Sequence, residues 1–283
     1  MGVVLNRRVF LDTMGGLSMI GCAANSGLRP APEYRLERVG IQLYSVRGEM
    51  ERDVEGTLAH LASIGYREVE FAGYFNRTPQ AVRTILRRHG LAAPSANVPI
   101  EILRRDWART LEGANIIGHR YIVVPYLPQE DQRTLDDYKR VSAEFNQLGD
   151  QAKRAGIRLA YHNHDSEFVP LGGRIPYDVL LAETDPVYVA LELDLFWATK
   201  AGQDPLAYFA RHPGRFELVH VKDSSGPPEH RQVAVGQGVI DFRRILSRKG
   251  QAGIRHAFVE QDEPPDPFEF ARASYAYLER LRF

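Results

Sequence analysis

Arg120-Tyr121-Ile122-Val123-Val124-Pro125, a helical run from Leu135 to Ala155 stopped by Gly156, and then Arg158-Leu159-Ala160-Tyr161-His162-Asn163-His164 form one strand–helix–strand unit. The two apolar runs have strand length, and the segment between them carries apolar residues at helical spacing. A helical crossover returns the chain to the same end of the sheet, so the two strands are expected to lie parallel.

The same rhythm extends in both directions. Val39 to Ser45, Glu68 to Phe71 and Ala92 to Val98 are expected strands before it; Val187 to Phe196, Phe216 to Val221 and His256 to Glu260 follow it. Helices fit at Asp53 to Ile64, Thr78 to His89, Ile100 to Ile117, Tyr177 to Glu183, Pro205 to Arg211, Phe242 to Lys249 and Pro267 to Leu281. Gly65, Gly90 and Gly118 supply helix stops. Eight such units in about 245 residues predict a single (β/α)8 TIM barrel over residues 38–283. A doubly wound open sheet is the rival. It lacks support because Ser45-Val46-Arg47-Gly48-Glu49-Met50, after the first strand, is no glycine-rich dinucleotide loop.

In such a barrel the chemistry sits at the C-terminal strand ends. Strand alternation points Ala160, His162 and His164 to one face and Leu159, Tyr161 and Asn163 to the other. Read in turn, the strand ends offer Gln42 and Tyr44, Glu70, Asn97, then His162, His164 and Glu167, then Asp194, then His220 and Lys222, and last Glu260. Ionisable groups this late in apolar strands are costly to bury unpaired, and a shared cation relieves that cost. Each residue has a plainer alternative: Asp194 as a helix cap, His220 as a satisfied core histidine, Glu260 paired to Arg255, Lys222 in a salt bridge. Their joint arrival on neighbouring strands favours a divalent-metal site. Imidazole and carboxylate without thiolate suit Mn²⁺, Co²⁺, Zn²⁺ or Fe²⁺ better than Ca²⁺. Such an ion would polarise a carbonyl and stabilise an enediolate.

Composition narrows the partners. Lys+Arg and Asp+Glu balance at 36 each, so no net basic field points to nucleic acid. The single cysteine excludes an intrachain disulfide framework. Asn6-Arg7-Arg8-Val9-Phe10-Leu11, followed by a mild apolar run from Met14 to Ala24, resembles a twin-arginine export signal. Cys22, behind Met19-Ile20-Gly21, resembles an imperfect lipobox cysteine. The expectation is a periplasmic or lipid-anchored protein, with residues 1–37 as signal and linker and any membrane link made only through Cys22.

The chain resembles the sugar phosphate isomerase/epimerase family of xylose isomerase-like barrels from about Val39 to Phe283. The resemblance rests on Gly40-Ile41-Gln42-Leu43-Tyr44-Ser45-Val46-Arg47, Tyr161 to Phe168, Leu193-Asp194-Leu195-Phe196-Trp197, His220-Val221-Lys222-Asp223 and Val235-Gly236-Gln237-Gly238. It implies one divalent ion held by Asp194, His220 and Glu260. The fourth ligand, a glutamate on the fifth strand in the family's epimerases, is His162 here, with Glu167 as a substitute. It also implies that Glu260 moves a proton beside a carbonyl, with His162 or His164 opposite and Lys222 steadying oxyanion charge. Tyr44, Trp197 and Arg231, with Gln42, Glu70 and Asn97, are expected around a small carbohydrate. The main expectation is a sugar isomerase or epimerase. Losing the first carboxylate makes a lyase acting on a 3-keto-glycoside or keto-polyol the alternative, and a non-catalytic sugar-binding lipoprotein a further one.

Overall fold

The computed structural model describes residues 34–283. The twin-arginine segment and Cys22 lie outside the described residues. Within the expected linker, Tyr34 exchanges both backbone hydrogen bonds with Phe283 and Leu36 packs on the core, so its described end is joined to the barrel.

The barrel strands are β1 (Gly40–Gln42), β2 (Glu68–Ala72), β3 (Ala92–Asn97), β4 (Tyr121–Val124), β5 (Arg158–His162), β6 (Val189–Asp194) and β7 (Phe216–Val221). A two-stranded ribbon of β8 (Asp223–Ser224) and β9 (Gln232–Val233) follows, and β10 (His256–Val259) closes the ring. The closed order is β1-β10-β7-β6-β5-β4-β3-β2, every pair parallel. This is the expected single (β/α)8 barrel. The first strand is shorter than expected because the Gln42 side chain accepts from Tyr44 N and turns Leu43–Val46 into a 3-10 helix. The expected helix over 242–249 is two pieces, Phe242–Leu246 and Lys249–Ala252.

Side-chain alternation builds the interior in layers. Tyr121, Val123, Ala160, Ala190, Leu218 and Phe258 fill the barrel axis, while Leu159, Tyr161, Leu191, Leu193 and Val219 face the helices. Gly40 belongs to the axial layer because the Phe258 ring occupies the space its Cβ would need. Above that plug the same faces continue as polar residues, so the barrel core ends where the candidate site begins.

The chain after β7 is hung on one buried carboxylate. Asp223 accepts four backbone N–H groups, from Ser224 (2.8 Å), Gly236 (2.9 Å), Gly238 (3.0 Å) and Ile240 (3.2 Å). A Cβ at Gly238 would run into the Ser224 carbonyl and this carboxylate, which accounts for the second glycine of Gly236-Gln237-Gly238.

Candidate metal centre

Four strands bring His162, Asp194, His220 and Glu260 together. Each is buried, and one donor atom from each lies within 4.8 Å of the other three. Metal–nitrogen and metal–oxygen bonds of roughly 2.0–2.2 Å place opposite ligands about 4 Å apart. The quartet therefore fits one divalent cation after a small contraction. Asp194 Oδ2 is buried and makes no well-formed hydrogen bond, its nearest charge being the Lys222 ammonium at 3.2 Å, which leaves a lone pair open to a cation. Asp194 is also a helix cap: Oδ1 accepts from Trp197 N at 2.8 Å, while Oδ2 turns to the cluster. The helix-cap reading of that residue is met, and its other oxygen is free to face the cluster. Asn163, facing away from His162, ties β5 to β6 by accepting from Asp194 N at 3.1 Å.

Lys222 sits in the middle of the negative charge. Its Nζ is 2.8 Å from Glu260 Oε2, 2.9 Å from Asp262 Oδ1 and 3.2 Å from Asp194 Oδ2. Burial works against its charge, but these three carboxylates outweigh burial and hold it protonated far above the ordinary lysine range. Glu260 mirrors it: burial opposes ionisation, yet Lys222 and His220 keep its carboxyl well below the usual range. His162 is pushed well below the ordinary imidazole range, by burial first and then by His220 and His164. It is therefore a neutral ring, the form that ligates metal.

A second carboxylate layer lies beneath. Glu70 accepts from Gln42 Nε2 at 2.7 Å and Ser95 Oγ at 2.5 Å, and its Oε2 is 2.6 Å from His220 Nε2. Glu192, two residues before Asp194 on the same inward face, is 3.2 Å from His220 Nε2 and 3.3 Å from His162 Nδ1. Burial and the nearby Glu70 push its pKa up to about 8. A carboxyl raised on folding stabilises the protein when protonated, and that contribution is lost as pH climbs through the raised pKa. In metal-stripped protein, the Tm of wild type relative to Glu192→Gln is expected to fall between about pH 5 and about pH 8. Thermal melts at both ends check this, and a constant difference contradicts it.

The remaining expected site residues divide. His164 and Asn97 line the open cavity above the centre, as does Tyr44, over whose ring Arg47 lies at 4.1 Å. Gln42 and Glu70, expected at the substrate, instead brace His220 from within the barrel wall. Trp197 lies beside the site rather than in the cavity lining, 5.5 Å from the His164 ring and 5.4 Å from Lys222 Nζ. Glu167 does not reach the cluster. The 3-10 turn Ser166–Phe168 folds its carboxylate back onto Tyr161 Oη at 2.7 Å and His164 N at 2.8 Å. Arg231 is exposed beside the β8–β9 ribbon, where its backbone pairs with Ser225, and it does not line the cavity.

Two residues at the site lie outside the expected set, Glu192 and Asp262. Glu192 was legible from the alternation in Ala190-Leu191-Glu192-Leu193-Asp194. Asp262, two residues beyond Glu260, lines the cavity and bonds Lys222 and Gln232.

Residues 58–279 match the family described as Xylose isomerase-like TIM barrel. Among curated proteins, the chain is 24% identical over 265 residues to an inosose dehydratase of Lacticaseibacillus casei, covering 80% of this chain and 88% of that one. An inosose dehydratase of Geobacillus thermodenitrificans is also 24% identical, with 79% and 88% covered. Among solved structures, a sugar phosphate isomerase/epimerase of Parabacteroides distasonis superposes with TM-score 0.75 at 27% identity, covering 90% of this chain and 96% of that one. The IolI protein with a binding zinc atom has TM-score 0.68 at 16% identity, with 84% and 95% covered. A probable 3-DHS dehydratase of Bacillus anthracis has TM-score 0.67 at 13% identity, with 86% and 99% covered.

Proposed function

Because the chain belongs to the xylose isomerase-like TIM barrel family, we propose that it is a divalent-metal-dependent lyase. It would remove a β-hydroxyl or another β-leaving group from a keto-polyol or keto-glycoside. The observation that carries this is the one-sidedness of the site. Both carboxylates that line the cavity at the centre, Glu260 and Asp262, come from the end of β10; the wall at β5 presents the imidazoles His162 and His164. Among the described residues the β5 wall offers the cavity no carboxylate to face Glu260 in a two-carboxylate epimerisation, which turns the expectation from isomerase towards elimination. The dehydratase relatives support the same reading.

A cation held by His162, Asp194, His220 and Glu260 would supply Lewis-acid polarisation of the substrate carbonyl. That an IolI structure holds zinc supports a divalent ion and leaves the choice among Mn²⁺, Co²⁺, Zn²⁺ and Fe²⁺ to experiment. Glu260, kept ionised by Lys222 and His220, takes the proton from the carbon beside the carbonyl. Lys222, a permanent cation, balances the charge that builds on the oxygen. The C–H electron pair becomes the new double bond as the β C–O bond breaks. His164, whose ring nitrogens make no hydrogen bond among the described residues, protonates the departing hydroxyl, which leaves as water.

Incubating metal-loaded enzyme with a cyclic keto-polyol of the inosose kind in D₂O is expected to give the dehydrated product, with loss of water matching consumption of ketone. Chelation should abolish this and added Mn²⁺ or Co²⁺ restore it. Ketose interconversion or deuterium exchange without elimination would favour the isomerase reading instead. From Arg7-Arg8 and the apolar run behind them we also propose export by the twin-arginine route, with Cys22 as an acylation site. Cell fractionation checks it: an Arg7→Lys/Arg8→Lys variant is expected to stay in the cytoplasm.

A further inference from the structure

The cavity is larger than its metal end requires. It encloses about 920 Å³, near the top of the range of roughly 300–1,000 Å³ that takes drug-sized ligands. From the centre it extends away from β5 and β10, across the loops after β2 and β3, and along one face of the helix Ile100–Ile117. The lining positions on that segment run from Ile102 through Arg105, Arg109 and Thr110 to Gly113, across a break in helical geometry at Asp106. One sugar or cyclitol ring at the metal end leaves this outer part unfilled.

The outer part is also electrostatically unbalanced. Arg77, Arg105 and Arg109 line it. Arg105 is neutralised by Asp106 at 2.7 Å. Arg77 and Arg109 are exposed and, among the described residues, neither has an acidic side chain at ion-pair distance. At the inner end the charges are already matched, since Lys222 is bracketed by Asp194, Glu260 and Asp262. Tyr126, 45% exposed, also lines the cavity. Two unmatched guanidiniums lining the outer part suit an anionic extension, since guanidinium is the natural partner of carboxylate and phosphate.

We infer that the substrate is an extended one, a keto-sugar or keto-polyol ring joined to a second unit that ends in a carboxylate or phosphate, and that Arg77 and Arg109 select that anionic end. This rests on the reading of the inner end as a keto-sugar site. The anion lies remote from the reacting carbonyl, so these arginines set specificity and take no part in proton transfer.

The test is equilibrium binding by calorimetry to the metal-loaded full chain, with three glucosides that share a phenyl aglycone. One ends in a carboxylate, one in a phosphate ester, and one in the uncharged carboxamide. At least one charged probe is expected to bind about tenfold tighter than the carboxamide, and whichever does identifies the anion. The preference should disappear in Arg77→Gln/Arg109→Gln and return in part in Arg77→Lys/Arg109→Lys. Equal affinities for all three probes, no saturable binding of either charged one, or a preference that survives the glutamine variant overturns the inference. Elimination from an uncharged keto-polyol is measured on the same variants. Elimination without charge preference removes only the extended substrate; an arginine-dependent preference without elimination removes the lyase reading and leaves the anion site.

Discussion

Glu260→Gln is expected to lower kcat/KM for elimination by about 10²–10⁴, the range for losing a group that moves a proton in the rate-limiting step. The substitution keeps the side chain's volume and removes its charge. It also changes the partners on both sides, because Glu260 Oε2 is 2.8 Å from His220 Nδ1 and 2.8 Å from Lys222 Nζ. Metal retained after dialysis should fall together with activity. Measuring both separates two roles. A variant that keeps its metal but loses turnover assigns Glu260 to proton transfer alone, whereas full metal with unchanged turnover contradicts both assignments.

Lys222→Met should have an effect nearly as large and should also destabilise the fold. The ammonium is buried against Asp194, Glu260 and Asp262, and removing it leaves their like charges facing one another, with Asp194 and Glu260 buried. Breaking a buried charge network of this kind costs about 3–5 kcal/mol. Turnover should fall by about 10²–10³, as for the loss of a preorganised donor at a developing oxyanion. Assays well below the variant's Tm keep the two losses apart. Lys222→Arg, which preserves the charge, should recover stability more than turnover, because a planar fork replaces a point charge. A methionine variant that melts and turns over like wild type would show that Lys222 does neither job.

The residues that were legible in advance share one property: local backbone geometry places them. His162, Asp194, His220 and Glu260 each fall on the inward face late in a parallel strand, and a period of two residues suffices to aim them. The same logic reaches Glu192, whose acidic character beneath the ligands is visible in the alternation of β6. What local geometry does not carry is where a chain turns after the strand. Glu167 lies one 3-10 turn past β5, and that turn delivers its carboxylate to Tyr161 and His164 instead of the centre. Arg231 stands where the β8–β9 ribbon puts it, and that ribbon's neighbours are anchored through Asp223 by contacts more than ten residues apart in the chain. Arg77 and Arg109 come from a loop and a helix whose approach is decided by how two helices meet above the sheet. Their shared cavity has no signature in spacing.

The two oxygens of Asp194 have a practical corollary. One starts the helix Leu195–Lys200 by holding the amide of Trp197, and the other belongs to the ligand cluster. A cation drawing on the second must pull on the first, and the indole carried by that same residue stands beside Lys222 and His164. The emission of Trp197, read in a Trp107→Phe background, is therefore expected to shift as the centre is loaded, a gauge that needs no added label.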